Sequence, residues 1–129
     1  MNTTLFLLAL LGLLLTTGSI AKKVELTLTV HCPLNTPWWY EAILLEQDEY
    51  SNDDLISGVL EGISYTQTQV MVLYGEEDND GLMDGSLEVY AHLFHNCSDK
   101  LVKKSVSKIY NLSLFSSLQT FKLNGFIEL

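Results

Sequence analysis

The stretch VELTLTVHC, residues 24–32, decides the fold class of this chain. Apolar and polar residues alternate through it without a break, and the apolar ones are Val24, Leu26, Leu28, Val30 and Cys32. A period of two places these side chains on one face of a β-strand and the polar ones on the other. The pattern therefore predicts a half-buried strand, which ends in the turn cluster of Pro33, Asn35 and Pro37.

Further short apolar segments follow, separated by polar loops at 48–54 and 75–86. A strand is predicted from Trp38 to about Gln47, and another runs through Val59, Ile63 and Tyr65 after a short helix-like turn. Strands are also predicted from Gln69 to Tyr74, with a stop at Gly75, and from Leu87 to His95. The last strands run through Val102, Val106 and Ile109 and through Phe121, Leu123, Phe126, Ile127 and Leu129. The strand from Leu87 to His95 is apolar on both faces. About seven to eight short strands predict an all-β, immunoglobulin-like antiparallel β-sandwich.

The charge balance excludes one class of partner. The chain has 7 lysines and no arginine against 16 acidic residues, a formal net charge of −9. So acidic a surface is repelled by the phosphates of nucleic acids. A hydrophobic fraction of 47% with 18% charged residues also argues against intrinsic disorder.

The first residues predict export. Leu5–Leu15 is an apolar block too short to span about 30 Å of hydrocarbon as a helix. Ser19 and Ala21 are small residues at the −3 and −1 positions of a cleavage site before Lys22. We therefore expect a secretory signal peptide at residues 1–21 and one extracellular domain at residues 22–129, and an uncleaved signal anchor is the alternative.

Cys32 and Cys97 are the two cysteines of the chain. In the oxidising secretory route such a pair most simply forms one intrachain disulfide, which would stabilise the domain by about 3–5 kcal/mol. Intermolecular pairing is the alternative. Two N-glycosylation patterns follow the predicted signal peptide, and Asn111 is the better acceptor because a disulfide at Cys97 would compete with the extended conformation needed at Asn96.

Two groups of residues suggest a metal site, and both have a simpler explanation. His92 and His95 lie three residues apart on a strand, so they point to opposite faces and cannot chelate one ion together, and His31 faces away from Cys32. The loop 76–88 nearly traces a calcium loop through Glu76, Asp78, Asp80, Gly81 and Asp84, but its twelfth position is Leu87 and Glu88 comes one later. We predict no metal or other cofactor, and a solvated hairpin loop at 76–88 whose weak calcium binding stays open.

Aromatic and basic residues supply the candidate contact sites. Trp38, Trp39 and Tyr40 are consecutive, so alternation places at least one of them in the core and leaves another for a ligand or partner. Four of the lysines form the one basic patch, namely Lys100, Lys103, Lys104 and Lys108. This patch could meet an acidic headgroup or partner, and a solvated face is the alternative.

Several of these features, in order, resemble the nematode transthyretin-like family. They are Cys32, the strand Ala42–Glu46 running into Asp53-Asp54-Leu55, the strand ending at Gly75-Glu76-Glu77, the run from Tyr90 to His95-Asn96-Cys97-Ser98-Asp99, and the closing segment Gly125–Leu129. The chain departs from the family at residues 66–73, where a Thr-x-x-x-Gly-x-Phe stretch is not recognisable, and at Trp38-Trp39-Tyr40. It therefore looks like a diverged member.

The resemblance implies a secreted transthyretin-type β-sandwich that binds an extracellular ligand. Enzymatic relatives of transthyretin use His and Arg side chains and a C-terminal Tyr-Arg-Gly-Ser signature, whereas this chain lacks arginine and ends Phe-Ile-Glu-Leu. We therefore expect a non-enzymatic binding protein, with a small apolar molecule or lipid as the first candidate ligand. The alternative is a protein–protein adaptor that docks through its charged loop surfaces.

Overall fold

The computed structural model describes residues 22–48, 52–77, 86–101, 103–113 and 120–129. Within these ranges the chain forms the strands β1 (Lys22–His31), β2 (Trp38–Glu46), β3 (Asp54–Leu55), β4 (Leu60–Ser64), β5 (Thr68–Glu77), β6 (Ser86–His95), β7 (Lys104–Ser113) and β8 (Thr120–Glu128). In the same ranges no helix has the length and apolarity needed to cross a membrane. The predicted signal peptide at 1–21, Val102 and most of the acidic loop, residues 78–85, lie outside the described residues.

The strands form two sheets, as the all-β prediction requires. The smaller sheet has the order β5-β1-β8, and the larger has the order β3-β2-β6-β7 with β4 also paired to β2. The long strands bury alternate side chains between the sheets, and β1 and β6 show the most regular alternation of buried and more exposed residues. The alternation of residues 24–32 and 87–95 is thereby confirmed.

One pairing departs from the predicted antiparallel arrangement. β1 and β8 run parallel, with Leu26 opposite Leu123 and Val30 opposite Ile127. Side-chain alternation is the same in parallel and antiparallel strands, so the sequence pattern carries no information on this point. Parallel neighbours need a long crossover, and here the whole chain between the first and last strands provides it.

The disulfide joins the two sheets at one end of the molecule. Cys32 directly follows β1 in the smaller sheet, and Cys97 follows β6 in the larger sheet. Their sulfur atoms are 2.05 Å apart, and the bond closes a loop of 65 residues. Intrachain pairing is thus confirmed, and both cysteines are buried in the core.

The strand predicted around Val59, Ile63 and Tyr65 is present as β4, but the helix-like turn predicted before it is wrong. Val59, Ile63 and Tyr65 are all exposed, whereas Ser64 is buried. Size complementarity with β2 explains why the small residues face inward, because Trp38 lies opposite Ser64, Tyr40 opposite Gly62 and Ala42 opposite Leu60. The large side chains of β2 fill the space, and a Cβ added at Gly62 would lie only 2.7 Å from the Tyr40 hydroxyl oxygen.

The predicted stop at Gly75 is also wrong. β5 continues to Glu77, and Gly75 is the position at which Ser57, in the segment before β4, forms an isolated antiparallel bridge with the strand. A Cβ at Gly75 would lie 3.0 Å from the Ile56 Cδ1 atom and 3.3 Å from its carbonyl oxygen. The missing side chain therefore permits a close backbone approach and does not end the strand.

Candidate binding surface

The outer face of the larger sheet carries large apolar and aromatic side chains at its centre. The register places Phe94 opposite Glu41, His92 opposite Ile43 and Tyr90 opposite Leu45. Ile109 on β7 lies beside Tyr90, and Trp39 lies at the start of β2 on the same face. We call this set the outer aromatic face and define it as Trp39, Ile43, Leu45, Tyr90, His92, Phe94 and Ile109.

The rings on β6 form an ordered row along this face. The His92 and Phe94 rings stack with centroids 4.4 Å apart and planes 16° apart. Tyr90 continues the row at 6.5 Å from His92. The Tyr90 hydroxyl donates a hydrogen bond to the Asp53 carboxylate, and this bond raises the pKa of Tyr90 to about 12. The row is therefore held in place at one end and stacked along its length.

The three consecutive aromatic residues are divided between two environments. Trp38 is 1% exposed and donates its indole N–H to the Thr66 carbonyl oxygen at 3.0 Å. Tyr40 is also buried, with its ring 5.7 Å from that of Trp38. Trp39 points outward, so of the three residues it is the one that can contact a ligand directly.

The four lysines of the basic patch do not act as one surface. Lys103 places its Nζ atom 4.5 Å from the centre of the Trp39 ring, which is a cation–π contact. Lys108 instead donates to the Phe126 carbonyl oxygen at 3.1 Å and thereby bridges the two sheets. Lys100 and Lys104 are exposed. Lys103 thus lies at the Trp39 end of the outer aromatic face, and Lys108 has a structural contact.

The histidines occupy the positions predicted for a strand. His92 lies on the outer face and His95 in the interior, opposite Tyr40. Burial, with a smaller contribution from Lys104, lowers the pKa of His95 and thereby favours the neutral form of its ring. In the described residues no group of three or more His, Cys, Asp or Glu side chains could hold a metal ion.

Acidic side chains gather at the end of the sandwich opposite the disulfide. Burial raises the pKa of Glu46 to about 7, and nearby carboxylates, led by Glu77 and Asp48, add to the effect. Asp53 and Asp54 contribute further negative charge. The predicted solvated hairpin loop at 76–88, whose weak calcium binding stays open, consists mainly of residues 78–85, which lie outside the described residues.

The two glycosylation patterns have different surroundings. Asn111 is exposed on β7. The Asn96 Oδ1 atom accepts a hydrogen bond of 2.7 Å from the Trp39 backbone N–H, which fixes the start of β2 against the end of β6. The preference for Asn111 as the acceptor stays a prediction.

A shallow apolar groove lies away from these residues, between the start of β4 and the edge of β5. It has a volume of about 240 Å³ and is lined by Gly58, Val59, Leu60, Val72, Leu73 and Tyr74. Small-molecule sites are commonly larger, at about 300–1,000 Å³, and enclose most of their ligand. The outer aromatic face is therefore the stronger candidate contact surface.

The sequence analysis identified Trp39 as a candidate contact residue, but it did not identify the row of Tyr90, His92 and Phe94 on β6. The signal was present, because residues 87–95 are apolar at both alternating sets of positions. A strand with one solvated face would instead carry polar residues at Tyr90, His92 and Phe94.

Comparison with known proteins gives one relative and no family. The chain is similar to an uncharacterized Caenorhabditis elegans protein, with 35% identity over 80 residues that cover 62% of this chain and 59% of that protein. The chain thus matches less than two thirds of that relative's length. No protein-family model matches the chain, and no solved structure matches it.

Proposed function

We propose that this protein is a secreted, non-enzymatic binding protein of transthyretin-like type, and that it docks an extracellular protein through the outer aromatic face. The row of Tyr90, His92 and Phe94 carries the proposal. Solvated faces of antiparallel sheets are usually polar, and ordered aromatic side chains are typical of protein contact surfaces.

The shape of the surface favours a protein partner. A pleated sheet four strands wide is a broad surface, whereas a small ligand needs a concave site that encloses it. Tyr90 and Phe94 are ring side chains with few rotatable bonds, so ordering them on binding costs little entropy. Stacking with His92 already restricts Phe94 in the free protein.

Export is supported by two independent features. The first is the apolar, small-residue pattern of residues 1–21, which is typical of a secretory signal peptide. The second is the disulfide between Cys32 and Cys97, a bond that persists in oxidising compartments. Because both cysteines are oxidised and the chain has no arginine, neither a thiol nucleophile nor an arginine anion site is available for catalysis.

Photo-crosslinking tests the partner proposal with a matched pair of positions. Phe94 and Phe126 are both phenylalanines on outward strand positions, but Phe94 lies on the larger sheet and Phe126 on the smaller one. A benzophenone amino acid is placed at one position or the other, and the secreted protein is incubated with the extracellular fraction of the organism that makes it. We expect a saturable crosslinked product from position 94 only, competed by excess wild type and not by Phe94→Ser. Equal products from both positions, or none that saturates from position 94, would refute the proposal.

A second candidate function is binding of an apolar molecule or lipid at Trp39. The contact between Lys103 and the Trp39 ring favours it, because it places a cation beside an apolar surface, as an anionic amphiphile would require. Native mass spectrometry of the secreted protein would then show a small adduct that is lost in Trp39→Ser. A protein without such an adduct leaves the protein-docking proposal as the sole candidate.

A further inference from the structure

Two glutamates lie among the side chains of the outer aromatic face. Glu41 on β2 is opposite Glu61 on β4 on one side and opposite Phe94 on β6 on the other. Tyr40 and Ala42, the chain neighbours of Glu41, are buried, so the Glu41 side chain points outward. Glu61 is exposed. The two carboxylates therefore share one face of the larger sheet, and we call Glu41 and Glu61 the glutamate pair.

Apolar and aromatic side chains frame the glutamate pair. Trp39 is two residues before Glu41 on the same strand, about 7 Å away on the same face. Ile63 lies opposite Trp39 and is 55% exposed. Neighbouring strands are about 4.8 Å apart, so the patch from Glu61 to Phe94 spans about 10 Å, which is the scale of one large side chain.

The glutamate pair differs from the outward glutamate of the smaller sheet. In β1, the central strand of that sheet, Glu25 has Lys122 beside it in register. Glu41 instead has a second glutamate beside it, and like charges directly opposite each other are unfavourable in a sheet. In the part of the chain that the structure describes, neither carboxylate of the pair forms an ion pair. The stability of the fold alone therefore does not favour this arrangement.

The Trp39 ring already contacts a cation within the chain. The Lys103 Nζ atom lies 4.5 Å from the centre of the ring. Lys103 immediately precedes β7 and reaches Trp39 from that side, whereas Glu61 lies on the opposite side of β2, in β4. Trp39 thus makes with Lys103 the kind of contact that a second cation above the glutamate pair would also make.

We infer that the partner presents an arginine side chain to the glutamate pair, an inference that rests on the proposed docking through the outer aromatic face. A guanidinium is planar and carries several N–H donors in a fixed fork, so it can donate to carboxylates while it stacks on a neighbouring aromatic ring. Calcium takes about six to eight oxygen ligands, more than the two carboxylates supply. The net charge of −9 also attracts a basic segment from a distance and speeds its association. The partner is thus an extracellular protein whose docking segment is basic.

Competition for the photo-crosslink at position 94 tests the inference with two double variants of equal charge. Glu41→Gln/Glu61→Gln removes both carboxylates of the glutamate pair, and Glu25→Gln/Glu76→Gln removes two carboxylates from the smaller sheet. Each variant is added as unlabelled competitor of the wild-type crosslink. We expect the first to compete about tenfold less well than wild type and the second to compete equally well. An equal loss in both variants, or no loss in the first, would overturn the inference while the saturable crosslink still supports the proposed function.

An NMR titration of the secreted protein with a defined probe needs no partner. The probe is acetyl-arginine amide, and its control is acetyl-citrulline amide, which has the same shape without the charge. We expect arginine, and not citrulline, to shift the indole N–H signal of Trp39 and the amide signals of Glu41 and Glu61. The Glu41→Gln/Glu61→Gln variant should lose this response.

The two experiments separate the inference from the proposed function. Arginine shifts confined to the acidic cluster around Glu46, or equal shifts with citrulline, would overturn the inference. An arginine response at the glutamate pair without a saturable crosslink from position 94 would refute the proposed function and not the arginine site.

Discussion

The central strands of the two sheets, β1 and β6, follow the same alternation and differ in the chemistry of their outward faces. The central strand of the smaller sheet, β1, presents Glu25, Thr27 and Thr29 outward. The equivalent outward positions of β6 in the larger sheet are Tyr90, His92 and Phe94. Both strands bury an apolar inner face equally well, so core formation does not account for the difference. The aromatic side chains on β6 are therefore best explained by a contact outside the core.

Removing the disulfide should have the largest effect on the stability of the two-sheet structure. Replacing Cys32 and Cys97 by serine releases the loop of 65 residues that joins the ends of the two sheets. We expect the free energy of unfolding to fall by about 3–5 kcal/mol. Thermal and denaturant unfolding measure the loss, and an unchanged midpoint would show that the sheets hold together without the bond.

Substituting neighbours on the two faces of β6 should separate stability from binding. Leu93 is fully buried, and Leu93→Ala should cost about 2–5 kcal/mol of stability while leaving crosslinking at position 94 unchanged under folding conditions. Phe94→Ser should cost much less stability and abolish competition for the partner. If Phe94→Ser lowers stability as much as Leu93→Ala and still competes, the outer aromatic face has a structural role.

Glu46, in the acidic cluster opposite the disulfide, should make a contribution to the free energy of unfolding that decreases as the pH rises. The pKa of Glu46 is raised from 4.5 to about 7 by burial and by neighbouring carboxylates. Its protonated form is therefore favoured by folding, so this contribution is fully present below about pH 4.5 and is lost as pH rises through 7. Glu46→Gln keeps the neutral form and should stabilise the protein by about 1 kcal/mol at pH 8, after allowance for solvent screening, and by nothing at pH 4.

Glu61→Gln is the control for this titration. It removes one negative charge from an exposed position of β4, away from the cluster around Glu46. Chemical unfolding at several pH values should show little change for this variant. An equal gain from both variants would attribute the effect to net charge alone.

The smallest expected effect concerns the cation–π contact at the Trp39 end of the outer aromatic face. Lys103→Ala removes the ammonium group above the indole ring and should cost about 0.5–1 kcal/mol. Tryptophan fluorescence should change as well, because Trp39 loses its neighbour while buried Trp38 does not. Lys100→Ala, on an exposed loop residue, should leave the fluorescence spectrum unaltered.

The sequence was most informative where one strand face is apolar and the other polar. β1 was predicted almost to the residue, because period-two alternation determines which side chains are buried. In β4 the apolar residues do not mark the inner face, because Gly62 and Ser64 face inward to fit the large Tyr40 and Trp38 of the neighbouring strand. That fit depends on pairing, which a single strand pattern does not contain.

Strand pairing also limited the prediction of the candidate surfaces. The parallel pairing of β1 with β8 is a property of strand order. The outer aromatic face combines Trp39 and Ile43 from β2 with Phe94 from β6, and these residues are brought together by register alone. The apolar character of both faces of residues 87–95 was visible in the sequence, but its position beside Trp39 was not.

Hydroxyl-radical footprinting tests the central claim most directly, because aromatic side chains report their own exposure on both sheets. The secreted protein is oxidised alone and in the presence of the extracellular fraction that contains its partner, and modification is read residue by residue. We predict that Trp39, Tyr90 and Phe94 become protected while Tyr65 and Phe126 keep their reactivity. Protection of Tyr65 or Phe126 with Phe94 still reactive would contradict the assignment of binding to the outer aromatic face.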